Sequence, residues 1–103
     1  MGINIRLEGE NGQVIEWVKE PLPMSLKLNK LPFYESRQFP LAGSIDPYGD
    51  TIFNRLQAAH LLLEWMDLTA LVEESERTVM EEVRNLLAKC RDGVHLYVRF
   101  IGD

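Results

Sequence analysis

Residues 50–93 read DTIFNRLQAAHLLLEWMDLTALVEESERTVMEEVRNLLAKCRDG, and the division of this stretch decides the fold. Ile52, Leu56, Ala59, Leu63, Met66 and Ala70 recur at steps of three and four, the spacing of one face of an α-helix. Asp50 precedes the run and is the expected N-cap. Glu73, Glu74 and Ser75 interrupt it, with Ser75 placed to cap a second helix. There Val79, Met80, Val83, Leu86, Leu87 and Cys90 form one stripe. Arg84, Lys89 and Arg91 gather in the later turns, where cations suit the helix dipole, and Gly93 is placed as the stop.

The two helices differ in character. The second has one apolar face. In the first, Leu62, Ala58, Trp65, Val72, Leu61 and Leu68 widen the stripe until only Gln57, His60, Glu64 and Asp67 remain polar. A helix apolar nearly all round is normally enclosed on several sides. Either it is sandwiched between a sheet, the second helix and a proline-rich segment, or Leu61, Trp65 and Leu68 form an exposed homodimer or partner interface.

Strand patterns flank the helices. Ile3, Ile5 and Leu7 alternate with Asn4, Arg6 and Glu8, the period of a half-buried strand. Gly9, Glu10, Asn11 and Gly12 form a turn cluster, and the β-branched and aromatic residues 13–19 complete a hairpin that stops at Pro21. Val94, Leu96, Val98 and Phe100 alternate in a last strand. Residues 21–50 hold all five prolines, yet also Leu26, Leu28, Leu31, Phe33, Tyr34, Phe39, Leu41 and Ile45. They are expected to form an ordered irregular segment packed on the core, with a short strand near 40–45. The order predicts a single α+β domain over 1–103: a small, mainly antiparallel sheet, made of an N-terminal hairpin plus a C-terminal strand, with two helices on one face.

With 11 basic and 16 acidic residues among 103, the net charge of −5 opposes the basic footprint of a nucleic-acid binder. Cys90 is the single cysteine, so no disulfide closes within the chain. No secretory signal is visible at the N-terminus, and the longest apolar run, Leu61 to Leu63, is too short to span a membrane. The expected setting is the cytoplasm. The charge is uneven: residues 64–82 hold Glu64, Asp67, Glu73, Glu74, Glu76, Glu81 and Glu82 against Arg77 alone, a net −6.

No motif calls for a cofactor, nucleotide or metal. His60 and Glu64 stand one helical turn apart, but two ligands do not make a metal site, and a local His–Glu hydrogen bond is the plainer reading. Cys90 sits on the apolar stripe and reads as core. The segment Gly43–Asn54 carries Asp46, Tyr48, Asp50 and Asn54 around a turn; it is either a structural turn with a helix cap or a binding loop, and Arg99 stands on a mixed-polarity face of the last strand that is either solvated or covered by the irregular segment. Asp103 adds a carboxylate near the end of that strand.

The segment Tyr48-Gly49-Asp50-Thr51-Ile52-Phe53-Asn54, together with the ending His95-Leu96-Tyr97-Val98-Arg99-Phe100-Ile101-Gly102-Asp103, resembles a family of small bacterial proteins of about this length with no established activity. Some small acidic proteins of that general kind look like immunity partners of secreted toxins. With no coherent catalytic constellation and a concentrated acidic stretch over residues 64–82, the expected function is a non-enzymatic protein–protein interaction module. Glu73, Glu74, Glu81 and Glu82 would face a basic partner, of which a nuclease-like toxin is one. The alternative is a small ligand-binding protein or enzyme built on the Asp46–Asn54 loop.

Overall fold

Because alternate residues of a strand face opposite sides, the Ile3, Ile5, Leu7 series makes β1 (Gly2–Glu8) with one face sealed in the core. The computed structural model describes residues 2–23, 39–46 and 48–102. β1 pairs with β2 (Val14–Trp17), with β3 (Leu22–Pro23) at its start, and with β5 (Tyr97–Ile101). β5 in turn pairs with β4 (Asp50–Phe53). The sheet order is β2-β1-β5-β4 and every pairing is antiparallel. Helices α1 (Arg55–Thr69) and α2 (Arg77–Asp92) complete an α+β fold. None of the described helices is long and apolar enough to cross a membrane.

The hairpin between β1 and β2 turns through Gly12, whose N–H donates to Gly9 O at 3.0 Å. Gly12 has φ 82°, a conformation that a Cβ disfavours. The strand expected over 13–19 is shorter than its composition suggested, and its Val14, Ile15 and Trp17 stay exposed.

Several boundaries differ from expectation, each for a local reason. Asp50 does not cap a helix; it begins β4, an unforeseen strand, because the backbone of residues 50–53 pairs with residues 98–101. Asn54 is the cap. Its Oδ1 accepts from Gln57 N–H and Gln57 Oε1 accepts from Asn54 N–H, both at 2.9 Å, a closed capping box. The strand expected near 40–45 is a 3-10 turn over Ala42–Ser44. Ser75 lies inside a second 3-10 turn, Glu74–Glu76, and α2 begins after Glu76 without a side-chain cap. The last strand begins at Tyr97, since Val94 is exposed and His95 adopts φ 55°. Gly93 does end α2, where a Cβ would lie 2.3 Å from Leu96 Cδ1. Of the proline-rich segment, residues 24–38 with Leu26, Leu28, Leu31, Phe33 and Tyr34 lie outside the described residues, as do Pro47 and Asp103.

The largest correction concerns which face of α1 is buried. The core-facing residues are Ala58, Leu61, Leu62, Trp65 and Leu68. The regularly spaced series that marks the helix in the sequence points outward: Leu56 is 68% exposed, Leu63 65% and Met66 55%. Ile52 is on β4, not on the helix. Leu61, Trp65 and Leu68 are buried within the chain itself, so they cannot form a homodimer or partner surface. Trp65 decides the matter. Its ring is fully buried with its centroid 6.0 Å from that of Phe100, and its Nε1–H donates to Met80 O of α2 at 2.9 Å. A buried indole needs that acceptor, which orients α1 about its own axis. Phe100 also meets Phe53 edge-on at 5.6 Å, tying β4 and β5 to the same core.

Candidate functional site

The sheet face turned away from the helices carries Asn4, Arg6 and Glu8 of β1, Tyr97, Arg99 and Ile101 of β5, and Asp50 and Ile52 of β4. Register makes one row of Trp17, Arg6, Arg99 and Ile52 across four strands. Two arginines standing directly opposite would repel. Arg99 resolves this by engaging carboxylates from both neighbouring strands. Its Nε–H donates to both Glu8 oxygens at 3.0 Å, and its Nη1–H donates to Asp50 Oδ2 at 2.8 Å. The hydrogen bond to Glu8 first, then that to Asp50, raises the guanidinium pKa above its ordinary value. Glu8, expected to face solvent, is 6% exposed and is the one buried charged residue among those described. Arg6 is exposed, with no hydrogen bond or ion pair among the described residues. Beside it lies a depression of about 410 Å³ lined by Asn4, Ile5, Arg6, Val14, Trp17 and Val18.

The Asp46–Asn54 loop spends most of its polar groups on itself. Asp46 Oδ1 accepts from Tyr48 N–H at 2.8 Å, an Asx-type turn, and Asp46 N–H donates to Thr51 Oγ1 at 2.9 Å. Asp50 serves Arg99, and Asn54 serves the helix end. Gly102 N–H donates to Gly49 O at 2.8 Å, closing the loop onto the end of β5. Tyr48 projects outward, 74% exposed. The structure thus brings Asp50 and Arg99 together, but among the described residues it does not gather Asp46, Tyr48 and Asn54 around a shared cavity.

The acidic residues divide in the same way. Glu73, Glu74 and Glu81 are exposed and form no ion pair among the described residues. Glu82 is half-buried, and its Oε2 accepts from Lys19 N–H at 3.3 Å, tying α2 to the end of β2. Glu64 has a role that its sequence position did not suggest. Rather than pairing with His60, it accepts from Leu41 N–H at 3.1 and 3.2 Å and from Ala42 N–H at 2.9 Å, holding the 3-10 turn against α1. Among the described residues, no three of His, Cys, Asp or Glu are grouped so as to hold a metal ion. Cys90 is buried, its Sγ–H donates to Leu96 O at 3.3 Å, and burial pushes its thiol up to about 11.

Arg6 and Trp17 are not among the residues the sequence singles out, and Glu64 enters there only as a neighbour of His60 and a member of the acidic stretch. The alternation of Asn4, Arg6 and Glu8 signals an outward face for Arg6, but nothing local signals the long-range partner of Glu64. No family model, curated protein or solved structure matches the chain, so the family resemblance of the Tyr48–Asn54 and His95–Asp103 segments rests on those residues alone.

Proposed function

We propose that the chain is a non-enzymatic protein–protein interaction module of the bacterial cytoplasm that binds a basic partner through the acidic edge where α1 passes into α2. The observation that carries this reading is the state of Glu73, Glu74 and Glu81: three exposed carboxylates, none neutralised by a cation among the described residues. Uncompensated charge of one sign steers an oppositely charged partner and raises the rate of encounter, and salt weakens both effects. A nuclease-like toxin held by an immunity-like partner is a pairing of this chemistry.

The test replaces Glu73, Glu74 and Glu81 together by glutamine, leaving Glu82 and Glu64 to their structural bonds. Wild-type and variant proteins are immobilised and exposed to bacterial lysate and secreted protein at low salt. A basic protein retained by the wild type, released by about 0.5 M salt and absent from the variant is the expected result. Equal retention on both surfaces overturns the reading.

A further inference from the structure

We infer that α1 pairs with α1 of a second copy of this chain, antiparallel and about a two-fold axis. This inference is independent of the acidic edge. Leu56, Ala59, Leu63, Met66 and Ala70 follow one another at steps of three, four, three and four, the seam spacing of a helix that packs against another helix. Buried residues explain the opposite face of α1, where Trp65 and Leu61 face the core. Nothing in the fold of the described residues requires leucine or methionine at positions 56, 63 and 66, because all three are exposed.

Charge selects the occupant and the direction. Along one flank of the seam stand His60, near the start of α1, and Asp67, near its end; Arg55 opens the helix on the other flank. All three are exposed and free of ion pairs among the described residues. In a parallel pair, Arg55 would stand beside His60 of the other copy, a contact that gains nothing. Antiparallel pairing places His60 beside Asp67 of the second copy, and the two-fold axis repeats the contact. Imidazole donates to a carboxylate whether or not it is protonated. The register that makes this contact sets Leu63 against Met66 and Ala59 against Ala70, so large meets large and small meets small. An isologous interface of this kind closes at two copies.

The seam is short. A 15-residue helix is about 22 Å long, and a pairing confined to it lies at the small end of specific interfaces. Dimerisation is expected at tens to hundreds of micromolar. Sedimentation equilibrium on the whole chain should show a monomer–dimer equilibrium that Leu63→Glu weakens at least about tenfold, with an unchanged circular dichroism spectrum. Direction is read by disulfide trapping, for which Cys90 is silent because it is buried. Leu63→Cys and Met66→Cys proteins carrying different tags are mixed and mildly oxidised. Mixed-tag dimers should dominate, since position 63 faces position 66. Same-tag dimers from each variant alone would show parallel pairing and overturn the inference. So would a wild-type monomer at every concentration up to about 1 mM.

Discussion

Replacing Glu64 by alanine removes the acceptor for two backbone N–H groups that lie more than twenty residues away in sequence. Ala42 is fully buried, so its N–H loses its partner with little access to water, whereas Leu41 is half-buried and regains part of its solvation. A hydrogen bond to a charged acceptor contributes about 1.5–3 kcal/mol net. With one donor stranded and one partly rehydrated, the expected loss is about 2–4 kcal/mol. For a chain of this size that lowers Tm by roughly 10–20 °C. Glu64→Gln keeps one carbonyl acceptor and is expected to cost about half as much. Urea unfolding can be followed through tryptophan fluorescence, because Trp65 is buried and Trp17 is already exposed. Amide exchange supplies the local readout: Leu41 and Ala42 should be protected in the wild type and exchange freely in Glu64→Ala. Leu63→Ala, one residue away but outward-facing, is the control and should lie within about 0.5 kcal/mol of wild type. If Glu64→Ala did so too, the carboxylate would not be what holds the turn to α1.

Arg99→Met should destabilise by about 2–4 kcal/mol, because it leaves Glu8 buried beside no cation; combining it with Glu8→Leu should recover most of that loss in the same denaturation assay. Trp65→Phe keeps an aromatic ring but removes the indole N–H that reaches Met80 O and leaves a small void in the core, so a loss of about 1–3 kcal/mol is expected without a change in fold by circular dichroism. Cys90 makes stability depend on alkaline pH. Its pKa is raised to about 11 in the folded chain, so the folded state keeps a proton that the unfolded state sheds from about pH 9 upward. The contribution is complete below pH 9, falls as pH rises towards 11, and totals about 3 kcal/mol. Cys90→Ala should flatten that part of the stability profile, and an unchanged slope would show that the thiol is not the group responsible.

Strand and helix periodicity carried the fold class, because Ile3, Ile5 and Leu7 or Val79, Val83 and Leu87 each have one apolar face and only one way to bury it. The first helix had two. Leu56, Leu63 and Met66 form as regular a series as Leu61, Trp65 and Leu68, and hydrophobicity alone cannot rank them. The ranking comes from a polar atom. The Trp65 indole N–H needs a buried acceptor, and Met80 O supplies it from a neighbouring helix. β4 was hidden for a related reason. Asp50, Thr51, Ile52 and Phe53 pattern as the beginning of a helix, and the pairing partner, residues 98–101, makes them a strand. Thr51, Ile52 and Phe53 are β-branched or aromatic and favour a strand, so the helical spacing of Ile52 misled where residue type did not.

The candidate site residues followed the same division. Asp46 and Asn54 find partners within five residues; turn chemistry anticipates Asp46, whereas the cap expected at Asp50 falls four residues later at Asn54. Asp50 and Glu8 do not: their partner Arg99 lies 49 and 91 positions away, across the sheet. Once those bonds are drawn, polarity no longer marks function, because the conspicuous carboxylates of the Asp46–Asn54 loop are occupied. Among the described residues, those that remain without such bonds include Glu73, Glu74 and Glu81 on one edge, and Leu56, Leu63 and Met66 stay exposed along α1. The first set is charged and would act at a distance; the second is apolar and acts only on contact. The two therefore separate by salt. Partner capture at the acidic edge should fade as ionic strength rises, whereas pairing through α1 should persist, weakened only by the screening of its His60–Asp67 contacts.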